Sequence, residues 1–279
     1  MKHTNSDSKI IEGFGDEWSR LDQTRMRVDD SSRLFKAYFS IFPWESLPPT
    51  AEGFDLGCGS GRWAKHVAPK VGKLHCIDPS IAIEIARKNL QEIENCEFHK
   101  ASVDGIPFSD SSMDFGYSLG VLHHIPNTAE ALASCVAKLK PGAPFLLYVY
   151  YSFDNRPVWY RSIWKASELI RLLISRLPFA LRYFLSQFIA IFIYLPLARL
   201  ARFIELLGFN VKNYPLTEYR SLGFYVMRTD ALDRFGTRLE QRFSRIEIQK
   251  MMEKASLENI VFSERPPFWC AVGFKKSRF

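Results

Sequence analysis

Three glycines at alternate positions, Gly57, Gly59 and Gly61, lie in the run Phe54-Asp55-Leu56-Gly57-Cys58-Gly59-Ser60-Gly61-Arg62-Trp63. A strand pattern, Glu52–Leu56, leads into them, and a helix pattern over 62–67 leads out. Glycine lets the chain turn sharply and lets a ligand approach the main chain with no Cβ in the way. The first amides of the following helix then offer N–H donors. A dinucleotide loop needs G-x-G-x-x-G to seat a pyrophosphate, and here Arg62 occupies the last position of that pattern. The dinucleotide fingerprint fails while G-x-G-x-G holds. The next acid at a strand end is Asp78, about twenty residues on, where a carboxylate can accept both hydroxyls of a ribose. An acid favoured by a helix dipole is a compatible role for it. Loop and acid together indicate a nucleoside ligand without a pyrophosphate; an ordinary glycine-rich turn is the bland alternative.

These residues need a scaffold of alternating strands and helices. After Glu52–Leu56 the sequence predicts strands at Lys73–Ile77, 97–101, 114–119 and 145–151, with helices over 81–94 and 128–139 between them. The strand at 145–151 is apolar almost throughout, as in a strand buried on both faces. Ser244 and Glu247 fit a capping box for a helix running to about 255, and 259–263 and 269–275 read as two further strands. The expected fold is α/β, Rossmann-like and doubly wound: a mostly parallel seven-stranded sheet with helices on both faces. The stretch between the fifth strand and the tail does not alternate. It reads as helices over 158–176, 179–194 and 197–207, an insertion that caps or packs on the core. The expected organisation is an N-terminal helical cover, 1–49, a core of 50–151 and 244–279, and a mainly helical insertion, 152–243.

Composition narrows the classes. The chain has 279 residues, 47% hydrophobic and 24% charged, which excludes a disordered protein. Lys and Arg number 37 against 30 Asp and Glu, for a net charge of +7. Residues 152–243 hold 14 basic and 7 acidic side chains, so the whole excess belongs to the insertion. That suits nucleic acid, a membrane surface or an acidic substrate. The five cysteines form no C-x-x-C pair, and no group of His, Cys, Asp or Glu has ligand spacing along the chain; no metal is expected, and a reducing cytoplasm is. The start, MKHTNSDSKI, is polar, so no secretory signal is expected. The longest uncharged run, 183 to 198, has 16 residues and contains Ser186, Gln187 and Pro196. A membrane span needs roughly 20 apolar residues, so this run reads as a buried or interfacial helix.

Five motifs in order resemble those of class I S-adenosylmethionine-dependent methyltransferases of the small-molecule, type 11 kind. They are Asp55-Leu56-Gly57-Cys58-Gly59-Ser60-Gly61; Asp78; Gly105-Ile106-Pro107-Phe108 with Ser112-Met113-Asp114-Phe115; Leu122-His123-His124-Ile125; and Leu139-Lys140-Pro141-Gly142. The resemblance covers about 50–151 and, more loosely, 244–275. It implies S-adenosylmethionine as cofactor, with Asp55, Gly57, Cys58, Gly59 and Gly61 around its amino acid part and Asp78 on the ribose beside Pro79 and Ser80. The adenine would meet Ser102 and Val103, where Ser102 replaces the family's usual acid and Asp104 lies close. Leu119, in Ser118-Leu119-Gly120, would line the methionine end. Phe14 and Trp18 resemble an N-terminal segment that covers the site.

Methyl transfer to a hydroxyl can use a base, and His is the natural one near neutral pH. His123 and His124 follow the fourth strand. Either could serve, His123 by preference; the alternative is a structural pair that holds the loop. The insertion would bind the acceptor, a small amphipathic or acidic molecule, with Tyr219, Arg228, Arg234 and Arg238 as candidates because guanidinium suits carboxylate and phosphate. Solvated helix surface is the competing role for each. Nucleic acid is not expected as acceptor, because the acid-or-Asn, Pro-Pro, aromatic motif of amino-methylating DNA enzymes is absent after the fourth strand. The alternative to an enzyme is a nucleoside-binding protein without catalysis, or a membrane-interfacial protein that keeps the fold. Segment 158–207 is open between lid, peripheral membrane element and oligomer interface. The expected location is cytoplasmic, with peripheral contact at the inner face of the membrane.

Overall fold

The computed structural model describes residues 5–277. The described residues divide into two compact units: 5–23, 31–152 and 239–277 form the first, and 24–30 and 153–238 the second. The N-terminal stretch is therefore not a unit of its own; its first part belongs with the core, and 24–30 with the insertion.

The first unit is built on seven strands: β1 Glu52–Leu56, β2 Lys73–Ile77, β3 Cys96–His99, β4 Phe115–Leu119, β5 Pro144–Tyr148, β6 Leu257–Phe262 and β7 Ala271–Lys275. Their order is β3-β2-β1-β4-β5-β7-β6. β1 to β5 pair in parallel, and β7 runs antiparallel to both β5 and β6. The order reverses between β1 and β4, the switch point at whose carboxyl edge such sheets bind ligands. Every residue of β4 is buried, as a central strand covered on both faces requires. Gly53 and Gly116 let the rings of Phe115 and Phe54 cross the neighbouring strands, because a Cβ on either glycine would lie within 2.5 Å of the opposing ring.

The helices of this unit are α1 Ser8–Arg20, the later part of α2 Val28–Tyr38, α3 Ala64–Val67, α4 Ala82–Asn89, α5 Thr128–Lys138 and, from the tail, α10 Arg245–Lys254. Asp7 and Asn127 cap α1 and α5 by accepting from Lys9 N and Glu130 N. The expected capping box is present on α10: Ser244 and Glu247 each accept from the other's backbone. The apolar sides of α2, α3 and α4 close a core over β1, β2 and β4 that includes Phe35, Phe39, Trp63, Leu74, Cys76, Phe115 and Tyr117. The fifth strand ends at Tyr148, earlier than its apolar run suggests, and beyond it only an isolated bridge, Tyr151 to Phe243, continues the pairing.

The second unit holds α6 Val158–Ile174, α7 Phe179–Ile189, α8 Leu195–Leu206 and α9 Phe224–Gly236. The sequence divides 179–207 into two helices. The structure joins α7 and α8 through a π-helical turn, Ala190–Tyr194, into one helix of 28 residues, Phe179–Leu206. Pro196 lies inside this helix, two residues past the π turn, where the hydrogen-bond ladder is already irregular and a missing N–H is accommodated. By length and composition alone this helix, which extends beyond the uncharged run 183–198 at both ends, could cross a membrane. Ile189, Ala190, Tyr194 and Ala198 on one side of it pack with Met227, Ala231 and Phe235 of α9.

Candidate functional site

The glycine loop turns at the carboxyl end of β1. Gly57, Gly59 and Gly61 have φ of 80°, 53° and 81°, a region that costs any residue with a Cβ. Space demands glycine as well. A Cβ at Gly57 would lie 2.4 Å from a Val121 methyl, at Gly61 2.7 Å from Leu90, and at Gly59 3.0 Å from the Trp18 indole. Trp18 therefore closes over the loop, and Phe14 lies 4.9 Å from the His124 ring, so α1 does cover this edge.

The loop's own amides are taken up within the fold, which leaves donation to a ligand to the start of the following helix, as expected. Gly57 N and Cys58 N both donate to Ile77 O, Gly61 N donates to Cys58 O, and Gly59 N donates to Asp78 Oδ2 at 3.0 Å. The sharp turn folds these amides back onto the end of β2. Asp78 also accepts from Ser80 N and Ser80 Oγ, at 2.9 and 2.6 Å. Burial pushes its carboxyl up, and these three bonds oppose the shift. Asp78 is thus the brace between β2 and the loop, at the place expected of a ribose ligand.

Other polar atoms around the loop have no partner. The fully buried Asp55 carboxyl, Ser60 Oγ and Arg62 Nε lack hydrogen bonds among the described residues. Burial pushes the Asp55 carboxyl well above the usual range; the adjacent Tyr117 hydroxyl opposes this, and Asp78 adds to it. The Arg62 guanidinium lies 4.1 Å over the Trp63 ring. Buried polar groups are normally bonded, so the Asp55 carboxyl beside Tyr117, the Ser60 hydroxyl and the Nε of the half-buried Arg62 suit a ligand with both ammonium and carboxylate groups. The amino acid end of S-adenosylmethionine fits that donor set. Ser60 and Arg62 escaped the sequence reading, although each lies directly in or after the glycine loop.

The remaining expected cofactor residues fall on the same edge of the sheet. Pro79 follows Asp78 after β2. Ser102 precedes a short turn, Val103–Gly105, whose Val103 is buried; Asp104 there accepts from Asn5 N at 2.8 Å. Leu119, at the end of β4, is buried in the core beside Tyr117.

His123 and His124 occupy a 3-10 turn after β4. His123 is wholly buried with neither ring nitrogen bonded. Its ring stacks on Tyr150 at 4.0 Å and lies 3.9 Å from His124. Burial pushes its pKa well down, with help from His124 and Arg242, so the ring is neutral. His124 Nδ1 lies 2.7 Å from Leu239 O. A carbonyl only accepts, so Nδ1 carries the proton and Nε2 the lone pair. Arg242 pairs with the buried Glu240 at 2.7 Å, donates to Tyr151 O and lies 4.9 Å over the Tyr150 ring. Tyr150, Glu240 and Arg242 were missed because 150 and 240–242 meet only when the tail returns to β5.

The four expected acceptor residues lie in the second unit. Tyr219 donates to Asp230 at 2.9 Å, Arg228 bonds Gln187 and Tyr183, and Arg234 bonds Ser167 Oγ. These three brace α9 and its neighbours inside the insertion, while Arg238 is exposed. The structure does not gather the four into one cluster.

Residues 54–147 match a family described as a methyltransferase domain. Over these residues the chain is similar to a methyltransferase domain. It is similar to phosphoethanolamine N-methyltransferase 2 of Caenorhabditis elegans, 28% identical over 44% of this chain and 28% of that one. It is also similar to the ubiquinone biosynthesis O-methyltransferase of Alkalilimnicola ehrlichii, 32% identical over 37% of this chain and 41% of that one. The chain spans well under half the length of these relatives. A Haloferax volcanii methyltransferase, solved in complex with the Trm112 methyltransferase activator, shares the fold, with a TM-score of 0.56, 16% identity and coverage of 97% of this chain and 99% of that one. The methyltransferase domain implies S-adenosylmethionine as its cofactor.

Proposed function

We propose that this protein transfers the methyl group of S-adenosylmethionine to a hydroxyl of a small amphipathic molecule, working at a membrane surface. The observation that carries the cofactor half is the set of unbonded polar atoms, the Asp55 carboxyl, Ser60 Oγ and Arg62 Nε, around a loop that only glycine can form. When bound, S-adenosylmethionine supplies an electrophilic methyl on a sulfonium. Asp55 and Arg62 hold its ammonium and carboxylate ends, and Asp78 orients the ribose while it braces Gly59. Such a site works chiefly by aligning donor and acceptor. His124, rather than His123, suits the role of base, because the Leu239 carbonyl holds its Nδ1 and orients the ring.

The insertion supports the membrane half. Seventeen of the 21 exposed large apolar side chains among the described residues lie between 158 and 209. On α6 the stripe Trp159, Ile163, Leu169, Ile170 and Leu173 is exposed, with the exposed Lys165 on its edge and the exposed Arg161 and Arg176 near the helix ends. On the long helix Leu181, Phe184, Phe188 and Ile191 form a second exposed stripe. An apolar face edged by cations matches an anionic lipid surface. Lying on the membrane is favoured over crossing it, because the inner side of the long helix packs on α9, whose Arg228, Asp230, Asp233 and Arg234 would otherwise enter hydrocarbon.

Calorimetry with S-adenosylmethionine and transfer of labelled methyl to extracted lipids and to bulk tRNA test the first half. Tight cofactor binding with label in the lipid fraction supports it; absent binding, or label in tRNA, refutes it. Flotation with phosphatidylglycerol-containing vesicles tests the second half. The intact chain should float, and a Phe184→Ser, Phe188→Ser variant should float markedly less. Equal flotation of both, or none with anionic vesicles, overturns the membrane reading.

A further inference from the structure

Strand pairing gathers a set of metal-ligating side chains that spacing along the chain conceals. β1, β2 and β3 run parallel, with His75 opposite Glu97 and Ile77 opposite His99. Residues paired in a parallel sheet share a face, as do alternate residues of one strand, so Glu52, His75, Glu97 and His99 all project from the same side. His75 Nδ1 lies 3.0 Å from His99 Nε2 and 3.3 Å from Glu97 Oε2, and His99 Nε2 lies 4.0 Å from Glu97 Oε2. On its other side His75 Nε2 lies 2.7 Å from Glu52 Oε1.

The proton inventory points to a cation. An ionised carboxylate only accepts, so the contact with Glu52 places the His75 proton on Nε2. The lone pair of a neutral His75 is then on Nδ1, facing a second imidazole nitrogen and a second carboxylate oxygen. With both rings neutral and the His99 proton on Nδ1, three electron-pair donors converge there, an arrangement that a cation satisfies and that without one needs an extra proton on His75 or His99. A tetrahedral metal with bonds of about 2.0–2.1 Å sets its ligands roughly 3.3 Å apart. Two of the three separations are close to that, and the third closes by a small swing of Glu97, which is exposed. Glu97 is already steered by Lys73, whose Nζ lies 2.8 Å from its other oxygen, Oε1. Phe108 packs on both imidazoles, at 4.6 and 5.3 Å, and restrains them.

We propose that His75, His99 and Glu97 bind one borderline divalent cation, zinc by its donor set, with Glu52 holding the His75 tautomer and a water in the fourth position. A carboxylate behind a metal-bound imidazole orients the ring and raises its basicity. The site is separate from the glycine loop: His75 lies on the face of β2 opposite Cys76, which belongs to the core under the loop's helices. Its action is structural, fastening the edge strand β3 to β2. This inference does not depend on the proposed methyl transfer, and its test measures no turnover.

The full-length chain, stripped with a chelator and dialysed, is titrated with zinc and with cobalt(II), beside His99→Ala and Glu52→Gln. His99 is half-buried on the edge strand, so its removal spares the fold better than removal of the buried His75. Expected are one equivalent of zinc at low-micromolar free metal, a rise in melting temperature with zinc, and a cobalt spectrum without a thiolate charge-transfer band. Glu52→Gln should weaken binding by about 10–100-fold, the usual effect of losing such a support, and His99→Ala should weaken it more and abolish the thermal shift. A folded wild-type chain that binds no zinc overturns the proposal. So does binding unchanged in His99→Ala, or a thiolate band, which would place the metal on the cysteines.

Discussion

Gly57→Ala tests the loop most directly. The residue has φ of 80° and its Cβ would lie 2.4, 2.5 and 2.9 Å from Cγ2, Cγ1 and Cβ of Val121. A side chain in the left-handed region costs about 1–2 kcal/mol, and overpacking of this kind about 1–3 kcal/mol. The sum, about 2–5 kcal/mol, should appear as lost stability of the first unit or as a displaced loop that binds cofactor less well. At about 2–4 °C per kcal/mol for a unit of this size, melting should fall by roughly 4–20 °C. Calorimetric melting and S-adenosylmethionine titration are run on wild type, Gly57→Ala, Val121→Ala and the double variant. Val121→Ala removes the two closest contacts and keeps the one at 2.9 Å. It should therefore restore part of the loss, leaving the conformational cost, as a coupling energy in the cycle. Full additivity of the two substitutions would refute the steric account. A Gly57→Ala chain that melts and binds like wild type would refute the loop geometry itself.

Two other predictions concern buried charge. The Asp55 carboxyl has a folded pKa raised well above its unfolded value, mainly by burial. Between those two values the folded chain holds more protons, so this group's contribution to stability falls as pH rises through the window and is flat above it; Asp55→Asn should remove that slope from a pH series of melts. If the carboxylate pairs with the cofactor ammonium, affinity should rise with pH over the same window in wild type and not in Asp55→Asn, and a parallel profile in the two would exclude the pairing. Glu240→Gln leaves Arg242 charged and buried without its carboxylate, which should cost about 3–5 kcal/mol. Urea unfolding of the first unit reads it, and a change below about 1 kcal/mol would show that the pair is solvated, as exposed pairs are.

The alternating strands, the two-faced helices and the glycine loop were legible in the sequence because each is a local pattern: period two, period near 3.6, or a conformation only glycine adopts. The capping box of Ser244 and Glu247 was legible for the same reason. Boundaries were less so. The apolar run 145–151 continues past Tyr148, but ladder partners end there, and a partner is not a property of the strand's own residues. The break expected near Pro196 vanished because a π turn directly before it loosens the ladder that proline would interrupt, a consequence of helix geometry upstream.

The chemistry divides along the same line. That Asp55, Asp78 and the glycines belong to one site follows from order along the chain, since a strand–loop–helix unit must bring them to one edge. What each group does there was decided by tertiary contacts: the loop amides folded onto Ile77 and Asp78, while the Asp55 carboxyl, Ser60 Oγ and Arg62 Nε were left without hydrogen bonds among the described residues. His75 and His99 are distant in sequence and meet through strand register, as do Tyr150 and Arg242 through the return of the tail to β5. A sequence fixes which groups can donate or accept; which of them face one another depends on the pairing of backbones that no local pattern encodes.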